Sequence, residues 1–121
     1  MKKLLDPSPA RAAAYVALYP MLQQIAKRYG YALAVHGSLH RDFDIVAIPW
    51  IEEAGEPLAL IKAMKTALKA VTHHEDGDKW FKDCNPTKKP HGRLGYSLHF
   101  TNEGMHGGYI DISVMPKTKA K

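Results

Sequence analysis

The residue types and spacing best suited to chemistry lie in His36-Gly37-Ser38-Leu39-His40-Arg41-Asp42-Phe43-Asp44-Ile45-Val46. Asp42 and Asp44 are two apart in a run rich in β-formers, so both carboxylates leave the same face of a strand. Val46 and Ile48 continue that face. Two carboxylates near the end of a buried strand repel each other and lose hydration unless a cation sits between them. Mg2+ takes oxygen ligands and keeps part of its water shell, so a carboxylate pair suits it. Gly37-Ser38, just before the pair, permits a tight turn whose N–H groups can hold a phosphate. Asp111 is a third acid, in Tyr109-Ile110-Asp111-Ile112-Ser113, on the face opposite Ile110 and Ile112. If its strand neighbours the Asp42–Asp44 strand, three carboxylates converge. Such a set can hold metal ions and activate a hydroxyl for in-line attack on a phosphate.

Cations are available for the same chemistry. Arg93 follows His91-Gly92 at the start of an alternating segment and can grip a phosphate bidentately, while Lys88 and Lys89 add point charges. Arg41 stands beside Asp42. His36 and His40 flank the Gly-Ser turn and donate to phosphate when protonated. The single cysteine, Cys84, excludes an internal disulfide and a cysteine-based zinc cluster. Of the seven histidines only His36 and His40 have His-x3-His spacing, and the Gly37-Ser38 break between them rules out a pair that binds zinc from one helix face. A phosphate-loop motif, Gly-x-Gly-x-x-Gly and Gly-x-Ser-x-Gly are all absent from the sequence.

The elements that must position these residues follow from periodicity. Ser8-Pro9 reads as a capped helix start. Tyr15, Leu18, Leu22, Ile25 and Tyr29 recur at helical spacing up to a stop at Gly30, and Pro20 should kink or divide this helix. Tyr31 to His36 and Asp42 to Trp50 read as strands. Pro57 opens a second helix to about Val71, with Leu58, Ile61, Met64, Leu68 and Val71 as its apolar stripe and Lys62, Lys65 and Lys69 facing away. Thr72 to Pro90 is polar and reads as a long loop anchored by Trp80 and Phe81. Arg93 to Phe100 alternates, with Leu94, Tyr96, Leu98 and Phe100 on one face. Thr101 to Gly108 makes a hairpin connection, across which His99 and His106 can face each other, and Tyr109 to Met115 alternates again. The order helix, strand, strand, helix, strand, strand predicts an α+β fold: a single mixed or antiparallel sheet of about four strands with helices packed on one face.

The chain has 121 residues, the length of one domain, with 45% hydrophobic and 24% charged residues. Residues 1–121 are therefore expected to form a single domain, with no room for a separate substrate domain. The net charge of +5 suits nucleotides, nucleic acid or an acidic partner. Lys2-Lys3 and the lysine-rich end are better read as solvated termini. No run approaches the length of a membrane span and no secretory signal follows Lys2-Lys3, so a cytoplasmic protein is expected. A single small sheet leaves an edge or an apolar face to cover, so a homodimer is also expected.

A glycine-serine turn after a strand, an acidic-x-acidic strand flanked by hydrophobics, and a later strand with a lone acid together resemble the nucleotidyltransferase (DNA polymerase β-like) superfamily. The resemblance covers Leu33 to about Val46 and Tyr109 to Val114. The whole chain also resembles a group of small proteins encoded by bacteriophages and prophages. They share the Gly-Ser, Arg-Asp-Phe-Asp, Pro-Trp and late Tyr-Ile-Asp-Ile-Ser-Val-Met-Pro pattern, and a phage-encoded chain would work in the host cytoplasm. The resemblance implies a nucleotidyltransferase-like fold and Mg2+-dependent transfer of a nucleotidyl group from a nucleoside triphosphate (NTP) to a hydroxyl acceptor. Gly37 and Ser38, with Arg41 and Arg93, would bind the nucleotide. Asp42, Asp44 and Asp111 would hold Mg2+ and form the catalytic set, with Asp111 the base for the incoming hydroxyl. Only Leu39, His40 and Arg41 separate Ser38 from Asp42, where active members usually carry a helical turn. That short turn, the small size and the basic charge also motivate an alternative: a non-catalytic phage accessory protein on the same scaffold, binding a host protein or nucleic acid.

Overall fold

A computed structural model describes residues 9–72, 86–99 and 108–117. The element order is α1 (Pro9–Arg28), β1 (Tyr31–His36), β2 (Phe43–Pro49), α2 (Pro57–Thr72), β3 (Thr87–Lys88), β4 (Leu94–His99) and β5 (Tyr109–Val114), with a short 3-10 turn at Pro90–Gly92. The strands form one five-stranded sheet in the order β1-β2-β5-β4-β3. The β2–β5 pair is parallel and the others are antiparallel. The fold is α+β with a mixed, open sheet. Among the described residues no helix is long and apolar enough to cross a membrane.

Strand alternation decides which face is covered. Phe43, Ile45 and Ala47 of β2, Ile110, Ile112 and Val114 of β5, and Tyr96 and Leu98 of β4 share one face. They join one core with Tyr15, Leu22 and Ile25 of α1 and Leu60, Ile61, Met64 and Leu68 of α2. Both helices thus pack on one face, and Asp44, Asp111 and Ser97 emerge on the other.

Several sequence expectations need correction. The sheet has a fifth strand, because Thr87–Lys88 pairs with Leu94–Gly95 inside what reads as loop. Two residues are too few to show a period of two. α1 is a single helix of 20 residues with Pro20 inside it, so Pro20 does not divide it in two. Pro20 and Val16, whose carbonyl loses its helical donor, are both exposed, so water can take the freed carbonyl. In α2 the buried stripe is Leu60, Ile61, Met64 and Leu68, while Leu58 and Val71 are exposed. β2 starts at Phe43, one residue after Asp42. The aromatic anchor at Trp80 and Phe81, His73-His74, Cys84, Phe100, the hairpin connection and His106 lie outside the described residues.

Candidate functional site: an acidic cluster at the parallel strand pair

The β2–β5 register sets Asp44 directly opposite Asp111. Paired residues on neighbouring strands project from the same face, so the two carboxylates stand side by side on the open face. Asp42, just before β2, joins them. One carboxylate oxygen from each of Asp42, Asp44 and Asp111 lies within 4.8 Å of the others, and all three residues are half-buried. Two Mg–O bonds laid end to end span about 4.2 Å, so small side-chain rotations close this set around a cation. All three donors are hard oxygens, the type Mg2+ selects.

On the far side of the cluster, β4 sets Ser97 opposite Asp111. Ser97 Oγ donates to Asp111 Oδ1 at 2.7 Å. This hydrogen bond orients the Asp111 carboxylate. On the near side, His36 pairs with Asp44 across β1–β2, and Gly37 follows with φ 86°. A Cβ on Gly37 would stand 2.8 Å from Asp44 Oδ2. Glycine is therefore required twice here, for the left-handed backbone and for the close approach to the carboxylate.

The short turn from Gly37 to Asp42 is clamped by α1. Arg11 Nη1 donates to the His40 carbonyl at 3.1 Å, and Tyr15 Oη donates to the Arg41 carbonyl at 2.8 Å. Within the turn, the His40 N–H donates to Ser38 Oγ at 3.4 Å. Tyr15 also accepts the Tyr109 N–H at 3.3 Å. One buried hydroxyl thus joins the backbone entering β2 to the first residue of β5, the two strands that carry the acids. Its ring stacks on Phe43 with centroids 5.2 Å apart. Burial pushes the Tyr15 phenol well above its ordinary range, and Asp42, Asp111 and Asp44 push it further against the opposing pull of Arg11. The hydroxyl therefore stays protonated and keeps its donor role at neutral pH.

An open groove of about 430 Å³ runs over the sheet from Asp44 and Asp111, past Ser97 and Ser113, to Lys89 and Arg93. Of the nucleotide-binding candidates, Arg93 shares this groove with two of the acids. Gly37 lies against Asp44, while Ser38 and Arg41 are exposed on the clamped turn. Arg11, Tyr15 and Ser97 were not legible as parts of a site. Arg11 and Tyr15 are four apart on the buried stripe of α1, and a charge there was the available signal. Ser97 lies on the polar side of an alternating strand, but its partner depends on the β4–β5 register.

No family model and no curated protein matches this chain.

Proposed function

We propose that this chain is a minimal Mg2+-dependent nucleotidyltransferase, of the kind its Gly-Ser and acidic motifs resemble, moving a nucleotidyl group from an NTP to a hydroxyl acceptor. The observation that carries this reading is the meeting of Asp42, Asp44 and Asp111 on one face of the parallel β2–β5 pair. Asp42, Asp44 and Asp111 would hold Mg2+, which when bound offsets the charge that builds on the phosphate in the transition state. The Gly37–Ser38 turn offers N–H groups to the phosphates of the NTP. The acceptor oxygen bonds to the α-phosphorus as the bond from that phosphorus to the bridging oxygen breaks. Pyrophosphate leaves with the electron pair, and the hydroxyl proton passes to the Asp111 carboxylate. Ser97 holds that carboxylate in one orientation, and the Arg11 and Tyr15 clamps keep the backbone before Asp42 in place.

Thermal unfolding with Mg2+ and each NTP, on wild type and Asp44→Asn, tests the reading. One NTP with Mg2+ is expected to stabilise the wild type by about 2.7 kcal/mol at a hundredfold excess over Kd. Asp44→Asn should fold and lose that response. No response in the wild type, or the same response in both, overturns the reading and favours the non-catalytic alternative.

A further inference from the structure

The groove has a basic arm, Lys89 and Arg93; the resemblance gives Arg93 to the nucleotide, but the strand order sets it across the acids from the Gly37–Ser38 turn. Gly95 forms part of its floor on the same face as Asp111, because Gly95 pairs with Ser113 and Ser97 with Asp111. A Cβ on Gly95 would stand 3.0 Å from Lys89 Cε and 3.6 Å from Lys89 Cγ. The missing side chain therefore leaves room for the Lys89 stem to lie across β4 in the lining of the groove. The hairpin that carries this lysine is tied down. The Lys89 N–H donates to the Arg93 carbonyl at 2.9 Å, and Arg93 Nε donates to the Pro90 carbonyl at 3.2 Å. Spending Nε on the backbone fixes the guanidinium plane and leaves its two terminal nitrogens as donors. Among the described residues neither Lys89 nor Arg93 makes an ion pair. Lys89, the fixed Arg93 guanidinium and the Ser113 hydroxyl on the groove floor make a donor set suited to phosphate.

The strand order places this arm. The acids on β2 and β5 lie between Gly37, at the end of β1, and the Lys89–Arg93 hairpin on β3 and β4. From β1 to β4 is three strand spacings, roughly 14 Å. In phosphoryl transfer the attacking and leaving oxygens lie roughly in line on opposite sides of the phosphorus. With the leaving pyrophosphate toward Gly37–Ser38, the attacking hydroxyl arrives from the β4 side. We infer that Lys89 and Arg93 form a second anion subsite, which binds a phosphate carried by the acceptor, and that the acceptor is a small phosphomonoester with a free hydroxyl. This role as acceptor subsite rests on the nucleotidyl-transfer reading. A groove of about 430 Å³ is the size of a small-molecule site rather than of an extended polymer track.

Titration calorimetry of the full chain with ribose 5-phosphate in EDTA, without nucleotide, tests the subsite. Saturable binding to the wild type is expected. Lys89→Ala should weaken it about tenfold, by loss of one charge-assisted contact. Gly95→Ala keeps every charge and only pushes the Lys89 stem aside, so a smaller weakening in a folded protein separates placement of the lysine from folding. Asp44→Asn should bind as well as wild type or better, since it removes a nearby negative charge. An unchanged affinity in Lys89→Ala, or binding of a single-stranded oligonucleotide without binding of ribose 5-phosphate, overturns the inference. The two readings fail separately. If Mg2+ and NTP stabilise the chain but ribose 5-phosphate does not bind, the acceptor subsite falls and nucleotidyl transfer stands. If ribose 5-phosphate binds through Lys89 but no NTP acts, the acceptor role falls with nucleotidyl transfer and only a phosphate site remains.

Discussion

Removing one oxygen atom tests whether Tyr15 joins the two strands that carry the acids. In Tyr15→Phe the ring still stacks on Phe43, so the apolar contact is kept. The Arg41 carbonyl loses its donor and the buried Tyr109 N–H loses its acceptor. Leaving buried polar groups unmatched costs about 1–3 kcal/mol, and roughly 2 kcal/mol is expected here because one of the two groups lies near solvent. Gly108 supplies an internal control. A Cβ on Gly108 would stand 2.5 Å from Tyr15 Oη, but 3.1 Å from the nearest ring carbons. Gly108→Ala should therefore cost about 1–3 kcal/mol in the wild type, as overpacking does. Much of that cost should vanish once the oxygen is gone. Urea unfolding followed by far-UV circular dichroism on both single variants and the double variant gives the cycle. The double variant is expected to be more stable than the sum of the two losses by at least about 1 kcal/mol. Additive losses within about 0.5 kcal/mol, or a neutral Tyr15→Phe, would refute the linking role.

Two further outcomes follow from the same geometry. Because burial raises the folded-state pKa of Tyr15, its contribution is fully present below the unfolded value of about 10. It is lost as pH rises from there toward the folded value, by up to about 1.4 kcal/mol per pH unit. Wild-type stability should therefore fall more steeply above pH 10 than that of Tyr15→Phe, and urea midpoints between pH 9 and 11 would show it; equal slopes contradict the assignment. Gly37→Ala should lose about 1–2 kcal/mol for its left-handed backbone. The added Cβ should also displace the Asp44 carboxylate and weaken Mg2+ binding, read by calorimetric titration of Mg2+; an unaltered Mg2+ isotherm argues against a metal position beside Gly37.

The Asp44 face illustrates how far local pattern reaches. Apolar Val46 and Ile48 share the Asp44 face, so β2 reads as buried on both sides, and packing decides that Phe43, Ile45 and Ala47 take the core. In β5 the alternation of Ile110, Ile112 and Val114 with Asp111 separates a core face from an acid face before any partner is known, and Leu94, Tyr96 and Leu98 of β4 likewise share one face. Strand period and helical spacing are properties of neighbouring residues, and they carry the element order and the placement of both helices on one face. Local pattern misleads where it is short or competes with packing. The two residues of β3 show no period, and Leu58 and Val71 fit the helical stripe yet are exposed.

What the tertiary structure alone decided is which acid meets which. Asp44 and Asp111 are far apart in the chain and come together only because β5 inserts between β2 and β4 in parallel register with β2. A shift of one residue would have sent Asp111 to the core face. The Tyr15 hydroxyl reaching Arg41 and Tyr109, and the Lys89 stem crossing Gly95, are likewise contacts between segments that share no local periodicity. Element order and the two faces of β5 are legible in the chain, because they are written in the backbone period. The convergence of the candidate residues into one site, with acids at the centre, a glycine turn on one side and a lysine–arginine arm on the other, was decided by strand order and register, which depend on packing across the whole sheet.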